Sequence, residues 1–294
     1  MKSSTALLTD RYELTMLEAA MGSGTAFRRA VFELFPRRLP DGRRYGVLAG
    51  VGRMLDAVEA FRFGDAELGF LTANKVVSDE VAHWLSSYRF CGDMWGFAEG
   101  EVYFPNEPLL IVEATFAEAC LLETLLLSVY NYDSAVAAAA SRMTAMAGDR
   151  PCIEMGSRRT NEIAAVAADL AAYLAGFGAT SNLEAGRRYG VPTRGTAAHS
   201  FTLLHATEAE AFGAQIEALV PGIAVALIVA RIGVELLTKA ERHHHRPFDR
   251  PQQSLAHPSP CTNRFTCQST PSRQASRSTY SRILNRPPPT GCTP

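Results

Sequence analysis

From residue 151 to residue 205 the chain alternates between short β-prone runs and helical ones. "PCIEMGS" is followed by "TNEIAAVAADLAAYLAG", "GATSN" by "LEAGRRYG", and "VPTRGT" by "AHSFTLLH". Strand and helix in turn predict parallel βα units, because a parallel neighbour can be reached only through a crossover. In such folds ligand chemistry collects where strands end and loops begin. That singles out three loops: Gly156–Thr160, Thr180–Asn182 and Gly195–Ser200.

The preceding text has a different texture. Residues 12–22 carry Leu14, Leu17 and Ala20 at helical spacing, with Thr9 or Asp10 available as a cap. "RRAVFELFPRRLPDGRRYGVLAGV" reads as two strands around a Pro-Asp-Gly turn. Helices are expected over 53–62, 66–73 and 79–88, and "DMWGFAEGEVYFPNEPLLIVEAT" is strand-rich. Long helices rich in Ala and Leu take over from "TFAEACLLETLLLS". The expected organisation is α/β: a small α+β domain over 1–114, then βα units over 115–222. A complete parallel barrel takes about 250 residues, so these units amount to part of one.

A break follows. Up to Gly222 there are 19 Lys and Arg against 27 Asp and Glu; beyond it there are 10 against 3, with nine of the 16 prolines. Residues 223–294 show neither helical nor strand period and are expected to be disordered. The arginines there are scattered with almost no aromatic interleaving, which argues against a nucleic-acid partner. The apolar stretch 219–237 contains Arg231 and Glu235, and its uncharged core is short for a membrane span. Asp10 and Glu13 interrupt any secretory signal, so a cytoplasmic location is expected, with six reduced cysteines at spacings that suit no metal framework. The triple histidine at 243–245 lacks Cys or carboxylate neighbours at ligand spacing, and no metal site is assigned.

Within the three loops the residue types point to anion chemistry. Arg158 and Arg159 offer planar forks that suit carboxylate or phosphate, and Gly156 would let a ligand approach the backbone. A solvated basic loop fits the same spacing. His199 follows a Gly-Thr turn near a helix start, where imidazole can take a proton or a phosphoryl group; a structural histidine fits as well. His205 reads as a surface or packing residue. Tyr12 could offer a flat face to an aromatic ring or pack in a helix–sheet contact.

The combination says more than its parts. "TDRYELTM", "FELFPRRLPDGRRYGVLAGVGR", "YRFCGDMWGFAEGEVYFPNEPLLIVEATFAEACLLETLLLS", "EMGSRRT" and "GFGATSNLEAGRRYGVPTRGTAAHSF" occur in order from about Leu8 to about Pro221. Together they closely resemble nicotinate phosphoribosyltransferase. The resemblance implies a small N-terminal domain and an irregular parallel α/β barrel of the type II phosphoribosyltransferase kind, here incomplete. It implies ATP-assisted formation of nicotinate mononucleotide from nicotinate and phosphoribosyl pyrophosphate, in NAD biosynthesis, by a homodimer with its sites near the subunit interface. ATP would enter with Mg2+. Carried over residue by residue, His199 is the histidine phosphorylated by ATP and Arg158 meets the nicotinate carboxylate. Tyr12 lies against the pyridine ring, Ser200 contacts substrate, and Gly156 and Asn182 line the substrate site. Arg159 serves phosphate or the local fold.

Two departures stand out. Arg11 replaces the apolar residue of the family's "TDLYELTM". After about Pro221 the text lacks the family's acidic strand and glycine-rich loops and looks like a shifted reading frame, so impaired activity is expected. The alternatives are a non-catalytic remnant able to pair with an intact subunit, or a related enzyme acting on nicotinamide or quinolinate.

Overall fold

The computed structural model describes residues 4–218 together with the strands Asn263–Gln268 and Ser281–Arg282. In chain order the elements are α1 (Arg11–Gly22), β1 (Arg29–Pro36), β2 (Gly46–Val47), α2 (Val51–Glu59), α3 (Asp65–Ala73), α4 (Asp79–Ser86), β3 (Asp93–Gly96), β4 (Val102–Tyr103) and β5 (Leu110–Thr115). Then come α5 (Phe116–Cys120), α6 (Glu123–Ala147), β6 (Ile153–Glu154), α7 (Glu162–Leu174), β7 (Ala179–Thr180), α8 (Leu183–Tyr189), α9 (His199–Thr202), α10 (Glu208–Ala218), β8 (Asn263–Gln268) and β9 (Ser281–Arg282).

Period 2 builds the first sheet. Along β1 the side chains of Ala30, Phe32 and Leu34 point inward and are buried. Along β5 Leu110, Val112 and Ala114 do the same, and the antiparallel register sets Phe32 opposite Val112 and Leu34 opposite Leu110. β3 lies antiparallel on the other side of β5. The buried face meets α1, α5 and the start of α6, so that one core runs from Ala6 to Tyr130. Phe61, Phe63, Trp84 and Tyr88 meet edge to face within it, the arrangement that ring quadrupoles favour.

The helices start where the sequence offers acceptors for unpaired N–H groups. Ser78 accepts from Val81 N–H at 3.3 Å to open α4, and Thr115 accepts from Glu118 N–H at 3.3 Å to open α5. Asn161 accepts from Ile163 and Ala164 N–H to open α7.

β1 and β2 both form, on either side of a turn in which Arg43 N–H donates to the Pro40 carbonyl at 3.0 Å. β2 pairs with β4, with Gly46 opposite Tyr103. Gly46 permits this because a Cβ there would collide with the buried Tyr103 ring. One expectation needs correction: within 223–294, expected to be disordered, two strands are described. β8 runs antiparallel to β1, and β9 pairs with β3, so the sheet order is β8-β1-β5-β3-β9. The edges of β1 and β3 present unpaired N–H and C=O groups, and a backbone ladder can form on them without hydrophobic alternation in the added strand. The remainder of that region, with the 219–237 stretch and the triple histidine, lies outside the described residues.

The βα alternation is found as expected. β6 and β7 are parallel, with Ile153 opposite Ala179 and Glu154 opposite Thr180, and Thr180 makes a parallel bridge to Thr193. Three parallel segments therefore lie side by side in the order 153, 179, 193. Among the described residues no helix is long and apolar enough to cross a membrane. Cys120 and Cys152 carry free thiols, whereas Cys91 is disulfide-bonded, which corrects the reading of every cysteine as reduced. Cys91 lies half-buried beside the start of β3, within reach of a partner rather than sealed in the core as Cys120 is.

Candidate functional site at the ends of the parallel strands

Each parallel segment is short, and each hands over to one of the three loops at the same end of the sheet. β6 ends at Glu154 and leads into a single 3-10 turn, Ser157–Arg159. Arg158 and Arg159 are exposed on that turn, and neither guanidinium has an ion-pair partner among the described residues. The arginines one loop further on behave differently: Arg187 and Arg188 both pair with Glu184, at 2.6 and 2.5 Å.

β7 ends at Thr180 and leads to Asn182. Its amide oxygen accepts from Glu184 and Ala185 N–H at 3.0 and 3.1 Å and so caps α8, while its amide nitrogen donates to Ser157 Oγ at 3.3 Å. Asn182 thus ties the second loop to the arginine turn. The third loop, after Thr193, reaches α9, of which His199 is the first residue and Ser200 the exposed second. His205 packs on Phe201, ring centroids 4.8 Å apart, in line with the packing role read for it.

Gly156 has a different structural reason from the one its sequence context suggests. Its N–H donates to Glu154 Oε1 at 2.6 Å, and a Cβ at this position would collide with that same oxygen. The space above the glycine is filled by the chain's own carboxylate.

Tyr12 is not beside the arginine turn. It sits in the first turn of α1, 44% exposed, against Glu123 and Thr124 at the start of α6. Burial, with the Glu123 carboxylate adding to it, pushes its pKa up, so the phenol stays neutral. The arginine turn meets α6 further along, where Tyr132 Oη lies 3.3 Å from Thr160 Oγ1. Eight residues of helix separate Thr124 from Tyr132, about 12 Å at 1.5 Å per residue. Tyr12 and the arginine turn therefore contact different stretches of α6.

Several residues that organise the site are absent from the sequence reading. Glu13, fully buried, accepts from Asp10 N–H at 3.1 Å and from Thr124 N–H at 2.7 Å, joining the first turns of α1 and α6. Asp169, 1% exposed on α7, accepts from Thr180 Oγ1 at 2.7 Å. Thr180 Oγ1 in turn accepts from Asn182 N–H at 3.0 Å. The signal for Asp169 was legible: an acidic residue on the face of an Ala-rich helix that otherwise buries Ala165, Val166 and Ala172. Among the described residues no group of three or more His, Cys, Asp or Glu side chains could hold a metal ion.

Residues 7–131 match the family model described as the nicotinate phosphoribosyltransferase N-terminal domain. A nicotinate phosphoribosyltransferase of Mycobacterium tuberculosis is 58% identical over 224 residues, which is 74% of this chain and 50% of that one. The chain belongs to the nicotinate phosphoribosyltransferase family. The crystal structure of human nicotinic acid phosphoribosyltransferase superposes with a TM-score of 0.62 at 35% identity, over 67% of this chain and 40% of that one. Nicotinate-nucleotide pyrophosphorylase from Pyrococcus furiosus shares the fold, with a TM-score of 0.60 at 21% identity, over 73% of this chain and 48% of that one. The chain spans about half the length of the curated relatives it matches.

Burial gives the site region a pH dependence. Glu13 and Glu154 are each pushed up to about 7, and Asp133 on α6 to about 6, in every case chiefly by desolvation. All three sit above the unfolded range of about 4. A carboxyl whose folded pKa is raised favours folding while protonated, and that contribution is lost as pH rises through the folded value. The thermal midpoint is therefore expected to fall between pH 5 and pH 8. Melting curves followed by circular dichroism check this, and a midpoint that rises over that interval contradicts it.

Proposed function

We propose that this chain carries the nicotinate-recognising part of an ATP-assisted nicotinate phosphoribosyltransferase, which forms nicotinate mononucleotide from nicotinate and phosphoribosyl pyrophosphate. The observation that carries the reading is the pair of guanidiniums, Arg158 and Arg159, held without ion-pair partners at the ends of the parallel strands. A carboxylate-bearing aromatic ring needs one fork-shaped cation and one flat face. Arg158 supplies the cation, and Arg159 serves phosphate or the turn itself. Tyr12 supplies the flat face. The reading also expects a homodimer with its sites near the subunit interface, as the resemblance implies.

In this reading His199 accepts the phosphoryl group of ATP, brought with Mg2+, and Ser200 contacts substrate beside it. Gly156 and Asn182 shape the substrate site by holding the arginine turn. Transfer to C1 of the ribose passes through an oxocarbenium-like state, stabilised by charge and positioning. The βα units form the first part of a parallel barrel, and the protein acts in the cytoplasm. The reversal of charge after Gly222 favours a second reading, in which the chain pairs with an intact subunit and turns over nothing itself.

Calorimetric titration tests the first reading. Nicotinate is expected to bind the wild-type chain and to bind Arg158→Ala about 10- to 100-fold more weakly, the value of a charge-assisted bidentate contact. Nicotinamide, which lacks the carboxylate, and quinolinate, which would need a further cation, serve as competitors. Equal affinity of nicotinate for wild type and Arg158→Ala, or better competition by either analogue, overturns the assignment. Mixing with an intact relative and measuring hetero-association separates the second reading.

A further inference from the structure

Beneath the arginine turn Glu154 of β6 stands opposite Thr180 of β7, whose hydroxyl holds the buried Asp169 of α7. Glu154 is on β6 and Asp169 is 1% exposed on α7. Each has one oxygen already used. Glu154 Oε1 accepts from Gly156 N–H at 2.6 Å, and Asp169 Oδ1 accepts from Thr180 Oγ1 at 2.7 Å. Asp169 Oδ2 is buried and has no hydrogen-bond partner among the described residues, and Glu154 lies across from the Thr180 that holds the other oxygen. Two carboxylates are both acceptors and cannot bond to each other. A buried unpaired acceptor costs about 1–3 kcal/mol, more when charged. A single proton between the two groups resolves both difficulties.

We propose that Glu154 and Asp169 share one proton, and that this pair is the positioning device that keeps the arginine turn open for the ligand carboxylate. The role in ligand binding rests on the functional reading given above; the shared proton does not. With the proton present, Glu154 holds the Gly156 amide and Asp169 holds Thr180, which in turn holds the Asn182 amide. The two loops are then fixed to the strands beneath them. With the proton lost, two negative charges repel under the turn and attract the Arg158 guanidinium, four positions from Glu154, away from solvent.

Other charged groups around the pair are occupied or turned outward. On α8 Arg187 and Arg188 are bound to Glu184, on α7 Glu162 accepts from Asn161, and Arg194 donates to the Thr193 carbonyl. Tyr132 on α6 meets Thr160. Arg158 and Arg159 are exposed on the turn. Among the described residues Asp169 is the charged group that acts on Glu154, and its effect adds to that of burial in favouring the protonated form.

The test is a side-chain carboxyl 13C titration of the full chain, followed by amide hydrogen exchange at Gly156 in wild type and Glu154→Gln. Glutamine reproduces the protonated acid: its oxygen accepts from Gly156 and its nitrogen donates to Asp169. The Glu154 signal is expected to move in a step near neutral pH, with the Asp169 signal responding to the same step. Gly156 protection, corrected for intrinsic exchange, should fall about tenfold from pH 6 to pH 8 in wild type and stay constant in Glu154→Gln. Nicotinate affinity should weaken over the same interval by a similar factor in wild type only. A Glu154 step in the ordinary carboxylate range to which Asp169 does not respond overturns the proposal, and this wild-type measurement stands even if the variant fails to fold. An equal pH dependence of Gly156 protection in Glu154→Gln overturns it too. Loss of nicotinate binding with the joint step intact would sink the functional reading and leave the shared proton in place.

Discussion

Arg53→Ala is expected to lower stability by about 3–5 kcal/mol, the cost of leaving a buried charge without its partner. Asp133 is 1% exposed on α6, and Arg53 of α2 grips both of its oxygens at 2.5 and 2.7 Å. The carboxylate also packs against Gly50, whose left-handed backbone (φ 100°) has no room for a Cβ beside Asp133 and Val129. Glu99 holds the start of the same helix, accepting from Gly50 N–H at 2.6 Å and Gly52 N–H at 3.1 Å. The Arg53 pair therefore docks α2 onto α6 at a point already rich in negative charge. Even with Arg53 present, burial lifts Asp133 to about 6, and Glu99 adds to the rise. Without Arg53 the loss should be larger at pH 8 than at pH 5, where protonation relieves the orphaned group. At pH 8 the thermal midpoint should drop by roughly 6–20 °C. Asp133→Asn in the Arg53→Ala background should recover part of the loss. A single-variant effect below about 1 kcal/mol, or no recovery in the double variant, shows that the pair does not dock these helices.

Glu13→Ala is the second large effect. One fully buried carboxylate satisfies an N–H from each of two helix starts, Asp10 before α1 and Thr124 in α6. Truncation leaves two donors without acceptors, for about 2–4 kcal/mol. Glu13→Gln keeps one acceptor and sets an amide NH2 against the other donor, so it should fall between wild type and Ala. The consequence reaches Tyr12, the preceding residue, whose ring rests on Glu123 and Thr124. Loosening this junction should raise the fluorescence mobility of Tyr12 as well as lower the urea midpoint. Glu13→Ala with an unchanged urea midpoint contradicts the assigned role.

How far the sequence could be read depended on whether the information was local. The βα units were legible because helix and strand periods are written in consecutive residues, and the three loops fell at one end of the parallel segments as those units require. The cap of α1 and the burial of Leu14, Leu17 and Ala20 were legible for the same reason. The partner of β2 was not: the turn at Pro40-Asp41-Gly42 is local, whereas pairing with β4 depends on the Tyr103 ring finding Gly46. The loop glycine was misread in motive, since nothing in "EMGSRR" says that Glu154 folds back over Gly156. Arg158 and His199 came from resemblance rather than from spacing, which left a solvated loop and a structural histidine equally open. Glu13 stayed hidden because a carboxylate that bridges distant backbone groups has no sequence pattern of its own.

The register of the first sheet has a consequence for the order in which the chain folds. Arg29 faces Thr115, 86 positions later, so β1 must wait for β5 and pay the closure entropy of everything between them. During synthesis the first strand leaves the ribosome several seconds before its neighbour, at about 5–20 residues per second. β6, α7 and β7, by contrast, occupy one continuous stretch from Ile153 to Thr180 and can meet as soon as they emerge. The arginine turn belongs to the quick, local unit, and Tyr12 on α1 belongs to the slow one.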